Sequence, residues 1–322
     1  MWSPRRSANA PVSLRHNRSR WLRVPGCEAK RCFFPRRVSV AQCVVGQARG
    51  FVIPNVHESL ARRVNSVGDA ARGVQATFFR LGLQDAVPET SSLRLNVSIR
   101  RFHSVVSVQL EYRDALPPRN NCTFPRAAGA CSFWAPSYFS QMTRVSRCLE
   151  DVRAYETRTG LQFSYFVRWR PDAAFLVKPD VTPGCWKPDT IVLQKKNCDG
   201  MYKDANSRFM GNIDQAFAVP RRHFAWLSSV HSAWHECASL AQMRAACRYT
   251  VPDPVCRRKT LKPGVRRTHT EISYHVNENY GDFPTECYLV HTLLIHAPAV
   301  NVRFSFFGHG VFLRSDRTTR DF

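Results

Sequence analysis

The chain has 322 residues, with 47 Lys and Arg against 24 Asp and Glu, for a formal charge of +23. That length buries a full core, so neither a disordered tail nor a minimal disulfide scaffold describes the whole chain, and one large α/β domain fits better than two small ones. The charge favours a polyanionic partner: nucleic acid, a nucleotide diphosphate or an acidic membrane surface.

Residues 1–37 carry ten Lys/Arg against the single Glu28, interspersed with Ser and Pro. This composition predicts a disordered basic segment or an organelle targeting peptide rather than a secretory signal, and it places the folded domain at 38–322. The rest of the chain still carries +14. No apolar run reaches the ~18 residues of a membrane span. Twelve cysteines are scattered without a C-x-x-C pair, which argues against a zinc ribbon. Together with the sequons Asn96-Val97-Ser98 and Asn121-Cys122-Thr123, they fit a Golgi or secretory lumen, where Cys122–Cys131 and Cys185–Cys198 could close short loops. An organelle remains the alternative compartment if residues 1–37 are a targeting segment.

Val38 to Val45 is a β-branched run that predicts a buried first strand, ended by the turn Gly46-Gln47-Ala48-Arg49-Gly50. The turn is a candidate nucleotide loop, although its glycines match neither G-x-G-x-x-G nor G-K-[ST]. Val56, Leu60, Val64 and Val67 recur at helical spacing after Pro54, and Ala76 to Leu83 reads as the next strand, giving a βαβ opening. Ser92 to Arg101 and Ser104 to Tyr112 read as two further strands, and residues 114–137 as a long loop. A helix from Ser140, with Met142, Val145, Leu149, Val152 and Tyr155 on one face, stops at Gly160.

That helix leads into Phe163 to Asp180. Alternation places Arg168 and Arg170 on one face of a buried strand and Trp169 on the other, and Pro171 stops the ladder so that Asp172 projects from the turn. In open α/β sheets ligands bind at such strand tips. Two guanidiniums suit a diphosphate, and a carboxylate beside them suits a divalent cation or a ribose hydroxyl. The same residues also fit a structural Arg–Asp pair that closes the strand. Beyond lie a short strand at Thr190 to Gln194, a strand after Asp214, and a helix from Arg221 with Phe224, Leu227, Val230 and Trp234 inward. His231 and His235 on that helix read as surface residues in the absence of a third ligand. A helix opening at Thr285-Glu286 and a strand from Val300 to Phe307 complete the chain.

Four stretches, VAQCVVGQARGF at 40–51, CLEDVRAYETRTGLQFSYFVRWRPD at 148–172, NIDQAFAVPRRHF at 212–224 and PTECYLVHTLL at 284–294, resemble a glycosyltransferase-like family of algae and protists. The resemblance implies a Rossmann-like nucleotide-sugar fold of the GT-A type, a mixed and mostly parallel central sheet with flanking helices. It further implies that Gly46, Gln47 and Arg49 line the nucleotide pocket and that Arg168, Arg170 and Asp172 stand at the donor diphosphate. Asp214 and Glu286 would face the sugar or the acceptor, so that Asp172, Asp214 and Glu286 are the catalytic candidates. The implied activity is a hexosyltransferase-like enzyme that moves a sugar from a nucleoside-diphosphate donor to a hydroxyl of a glycan or protein. A strict D-x-D is missing, because Ala173 and Ala174 follow Asp172. Asp172 is thus the only candidate at the strand tip for a Mn²⁺ or Mg²⁺ ligand, with Asp180 or Asp214 as partner from elsewhere, unless the arginines replace the metal. A basic nucleic-acid-binding protein and an inactive sugar-nucleotide-binding relative are the rival readings.

Overall fold

The computed structural model describes residues 36–83, 89–111, 134–175, 182–194, 216–232, 292, 301–305 and 310–312. Its first strand, β1 (Val38–Gln47), is central. Every residue except Ser39 and Gln47 is buried, as expected for a strand covered on both faces. Folded contacts begin slightly before the expected boundary: Arg36 donates its backbone N–H to Gly184 O at 3.0 Å and Nη2 to Trp186 O at 2.7 Å.

Helix α1 (Pro54–Ala71) starts on a proline, whose missing N–H costs nothing in the first turn, and ends on Arg72 in the left-handed conformation at φ 58°. It buries Val56, Leu60, Val64 and Val67, the expected stripe, and returns the chain to β2 (Arg72–Gly82), parallel to β1. The segment expected as a strand at 92–101 is instead helix α2 (Glu89–Ile99). Leu95 and Ile99 lie one helical turn apart and are both buried, so the β-branched residues there misled the periodicity reading. Topology requires the correction as well. Strand β3 (Val105–Glu111) runs parallel to β2, and two parallel neighbours need a crossover, not a hairpin.

Helix α3 (Trp134–Thr159) ends at Gly160, φ +70°, the expected glycine cap. It delivers the chain to β4 (Tyr165–Trp169), which is wholly buried and pairs parallel with β1 on the side away from β2. There follow β5 (Ala173–Phe175), β6 (Thr190–Gln194), β7 (Ala216–Pro220), the short helix α4 (Phe224–Ser229), β8 (Asn301–Ser305) and β9 (Gly310–Phe312). The seven-stranded sheet runs β3-β2-β1-β4-β7-β6-β8, with β7 antiparallel to both its neighbours, and β5 pairs with β9 in a separate ribbon. The protein is thus α/β with a mixed, mostly parallel sheet. Helix and sheet faces close two cores. Ala41, Cys43, Val45, Phe78 and Phe166 pack with Met142, Val145, Leu149 and Val152 of α3, and Val40, Val44, Phe79, Val167 and Trp169 pack with Leu60, Val64 and Val67 of α1.

A disulfide beyond the two expected short-loop pairings is present among the described residues. Cys43 in β1 and Cys148 in α3, 105 residues apart, form a disulfide inside the α3-side core. Cys185 is disulfide-bonded too, to a cysteine outside the described residues, where Cys122, Cys131 and Cys198 also lie. Among the described residues no helix is long and apolar enough to cross a membrane. Asp214, Glu286, Trp234, His235 and the Thr285 helix fall outside them.

Candidate functional site

The order β3-β2-β1-β4 reverses direction between β1 and β4, so the crevice beyond their C-terminal ends is a topological switch point. Both stretches that the sequence reading singled out end there. After β1 the chain makes a tight 3-10 turn, Ala48–Gly50, closed by Phe51 N–H donating to Ala48 O at 2.8 Å, and enters α1 three residues later. Several backbone donors at this corner are already used within it: Phe51 N–H goes to Ala48 O, Ile53 N–H to Gly50 O, and the N–H groups of Val56 and His57 to Ile53 O, while Pro54 has none.

Gly46 makes the approach of the two strand ends possible. Its φ of +151° is one that side chains rarely adopt, and a Cβ there would lie 2.9 Å from Pro171 Cδ and 3.9 Å from Arg170 Cγ. The G-Q-x-R turn and the R-x-R-P-D strand end are therefore in direct contact, although more than a hundred residues separate them. Gln47, half-buried, pairs in register with Gly82 of β2 at the same edge, and Arg49 lies within the turn itself.

Arg170 and Asp172 form a two-pronged ion pair. Nε donates to Oδ1 at 2.6 Å and Nη2 to Oδ2 at 3.2 Å, with the arginine side chain 14% exposed and the carboxylate 3%. The planar fork matches the carboxylate and fixes the orientation of both groups. This is the closing pair that the sequence also allowed, and it stands at the expected strand tip.

Arg168 departs from the expectation of charge surfacing at that tip. It is fully buried beneath α3, donates Nη2 to Gln141 Oε1 at 2.8 Å and holds its guanidinium 5.6 Å from the centre of the Phe217 ring. The alternation was read correctly, since Trp169 points to the opposite face and donates Nε1 to Gln42 Oε1 at 3.0 Å. What alternation could not show is that α3 covers the arginine-bearing face as far as Arg168. Gln141, one residue before the core Met142, is the partner that sequence reasoning missed; an inward polar residue at that helix position was the available signal.

The site residues thus divide. Gly46, Gln47, the Arg49 turn, Arg170 and Asp172 meet at one sheet edge, and Arg168 lies behind them in the core. Among the described residues no three His, Cys, Asp or Glu side chains gather as a metal site. Asp172, the carboxylate at this edge, is already forked by Arg170, and one such carboxylate does not make a cation site. No protein-family model matches the sequence, and no curated protein matches it.

Proposed function

We propose that the protein is a glycosyltransferase that binds a nucleoside-diphosphate sugar at the β1/β4 switch point and transfers the sugar to a hydroxyl acceptor. The observation that carries this reading is the contact of Gly46 with Pro171, which brings the turn after β1 and an Arg–Asp pair to one crevice. A mixed, mostly parallel sheet with helices on both faces is what a GT-A-type fold expects, and the switch-point order supports it.

In this account the diphosphate lies against the turn at 46–50, and Arg170, oriented by Asp172, offsets the charge that grows on the departing diphosphate. The bond from the anomeric carbon to the diphosphate oxygen breaks as one to the acceptor oxygen forms. A carboxylate takes the acceptor proton, for which Asp214 and Glu286 are the proposed residues.

The basic charge does not by itself choose between this reading and a nucleic-acid face: Arg144 and Arg168 are buried and Arg80 and Arg170 are engaged in ion pairs, whereas Arg62, Arg72, Arg94, Arg101, Arg153 and Arg158 are exposed. The test is thermal shift against a panel of nucleoside diphosphates, their sugars and an RNA oligonucleotide. A ligand that binds only the native state raises its melting temperature. The proposal expects stabilisation by at least one nucleotide sugar, and stabilisation by RNA alone would contradict it.

A further inference from the structure

The sequon Asn96-Val97-Ser98 takes no part in the candidate site, and the fold places it on α2. Asn96 is exposed there. Leu93 and Val97 lie on the same outward surface at 67% and 49% exposure, two large apolar side chains with nothing of the described fold over them. Ser98 is buried at 1% exposure; its hydroxyl donates to Arg94 O at 2.9 Å and stands 3.0 Å from His57 Nδ1. A second observation concerns the compartment. Cys43–Cys148 is a disulfide between a central strand and its covering helix, both residues fully buried, and Cys185 is bonded as well. Such bonds form and persist where the surroundings are oxidising, which in a eukaryotic cell is the lumen in which sequons are also modified.

We propose that Asn96 carries an N-linked glycan, added before α2 docks. The donor is a lipid-diphosphate oligosaccharide. The Asn96 side-chain nitrogen forms a bond to the anomeric carbon, the bond from that carbon to the diphosphate oxygen breaks, the lipid diphosphate leaves, and the amide proton passes to a base of the transferase. No electrons are exchanged with an oxidant or reductant. The order of events follows from Ser98. Recognition of a sequon requires its hydroxyl, and in the folded chain that hydroxyl is turned inward against Arg94 and His57, so modification precedes docking of the helix. Once attached, the glycan covers Leu93 and Val97 and keeps an exposed apolar stripe from association.

The experiment uses the full chain purified from its own cells. N-glycans are released enzymatically in heavy-oxygen water, a step that turns a glycosylated Asn into a labelled carboxylate, and cleavage after Arg94 and Arg100 then isolates Leu95–Arg100. The expected result is that peptide with label at Asn96, together with an increase in gel mobility on glycan release that Asn96→Gln abolishes. Recovery of the peptide only with its amide intact and unlabelled would overturn the proposal. Asn96 is exposed, so Asn96→Gln leaves the melting transition cooperative and the comparison valid.

Discussion

Two groups of ion pairs stand at the C-terminal side of the sheet, and they are built differently. One spans the fold: Arg80 of β2 holds Asp151 of α3 at 2.7 and 2.8 Å, 71 residues away, and Glu111 at the end of β3 at 3.1 Å, 31 residues away. Glu111 also takes Arg144 and Arg147 of α3 at 3.0 and 3.2 Å, and Arg144 lies across Gly82, where a Cβ would meet its guanidinium at 2.2 Å. The other, Arg170–Asp172, spans two residues of one turn. The first cannot form until two strands and a helix are in place, so its energy falls on the tertiary fold. The second is local: as a pair it fixes a turn, and it stands at the switch point on which the proposed function draws.

The largest expected effect tests the frame that carries the long-range network. Replacing Cys43 and Cys148 together by Ala should lower stability by about 2–5 kcal/mol, because the bond closes a long loop of the unfolded chain and welds α3 to β1. Chemical denaturation under oxidising conditions measures it. A loss below about 1 kcal/mol would show that packing alone holds the helix.

Next, Glu111→Gln should cost about 3 kcal/mol of stability, since it leaves the 1%-exposed Arg144 without its carboxylate, while nucleotide affinity stays unchanged. Arg170→Ala should differ in affinity: that for a nucleoside diphosphate falls by roughly 1.5–3 kcal/mol, the range for a charge-assisted hydrogen bond, and stability falls as well because the 3%-exposed Asp172 carboxylate loses its arginine. Calorimetric titration of both variants decides it, and a loss of nucleotide affinity in Glu111→Gln but not in Arg170→Ala would break the contrast drawn above. Asp172→Asn keeps the shape of the side chain and removes the charge that orients Arg170. Transfer should be lost in a folded protein, as activity and melting assays on the same sample would show.

The smallest effect concerns pH. Burial lowers the pKa of His57 and of His223 below the ordinary 6.5. The folded state therefore resists protons that the unfolded state accepts, so stability is full above pH 6.5 and declines as pH falls below it toward the depressed folded values. Neither ion-pair group contains a histidine. Melting temperatures between pH 8 and pH 5 should show the decline in the parent and a shallower one in His57→Gln; an equal slope in both would assign it elsewhere.

Much of the parallel half of the fold was legible because its signals are local. The β-branched run of β1, the stripe of α1, the glycine after α3 and the alternation of β4 each report on one element. The α2 error arose where Leu95, Val97 and Ile99 satisfy period two while Leu95 and Ile99 also satisfy a helical turn, and only the parallel β2/β3 pairing decides between them. The site was legible in its two motifs and not in their contact. Gly46 against Pro171 and Gln141 against Arg168 are consequences of strand order and helix cover, which no window of sequence contains. The disulfide was missed for the same reason: with twelve cysteines, proximity in sequence is a poor guide to a pair brought together by a strand and a helix.

The central claim is that a nucleoside diphosphate binds where β1 and β4 end side by side. Photo-crosslinking with an azido nucleoside-diphosphate sugar, followed by peptide mapping, tests it most directly. The account predicts saturable labelling, competed by the unmodified donor, in the peptides that contain residues 46–50 and 170–172. Labelling confined to other parts of the chain, or none that the donor competes, would contradict it.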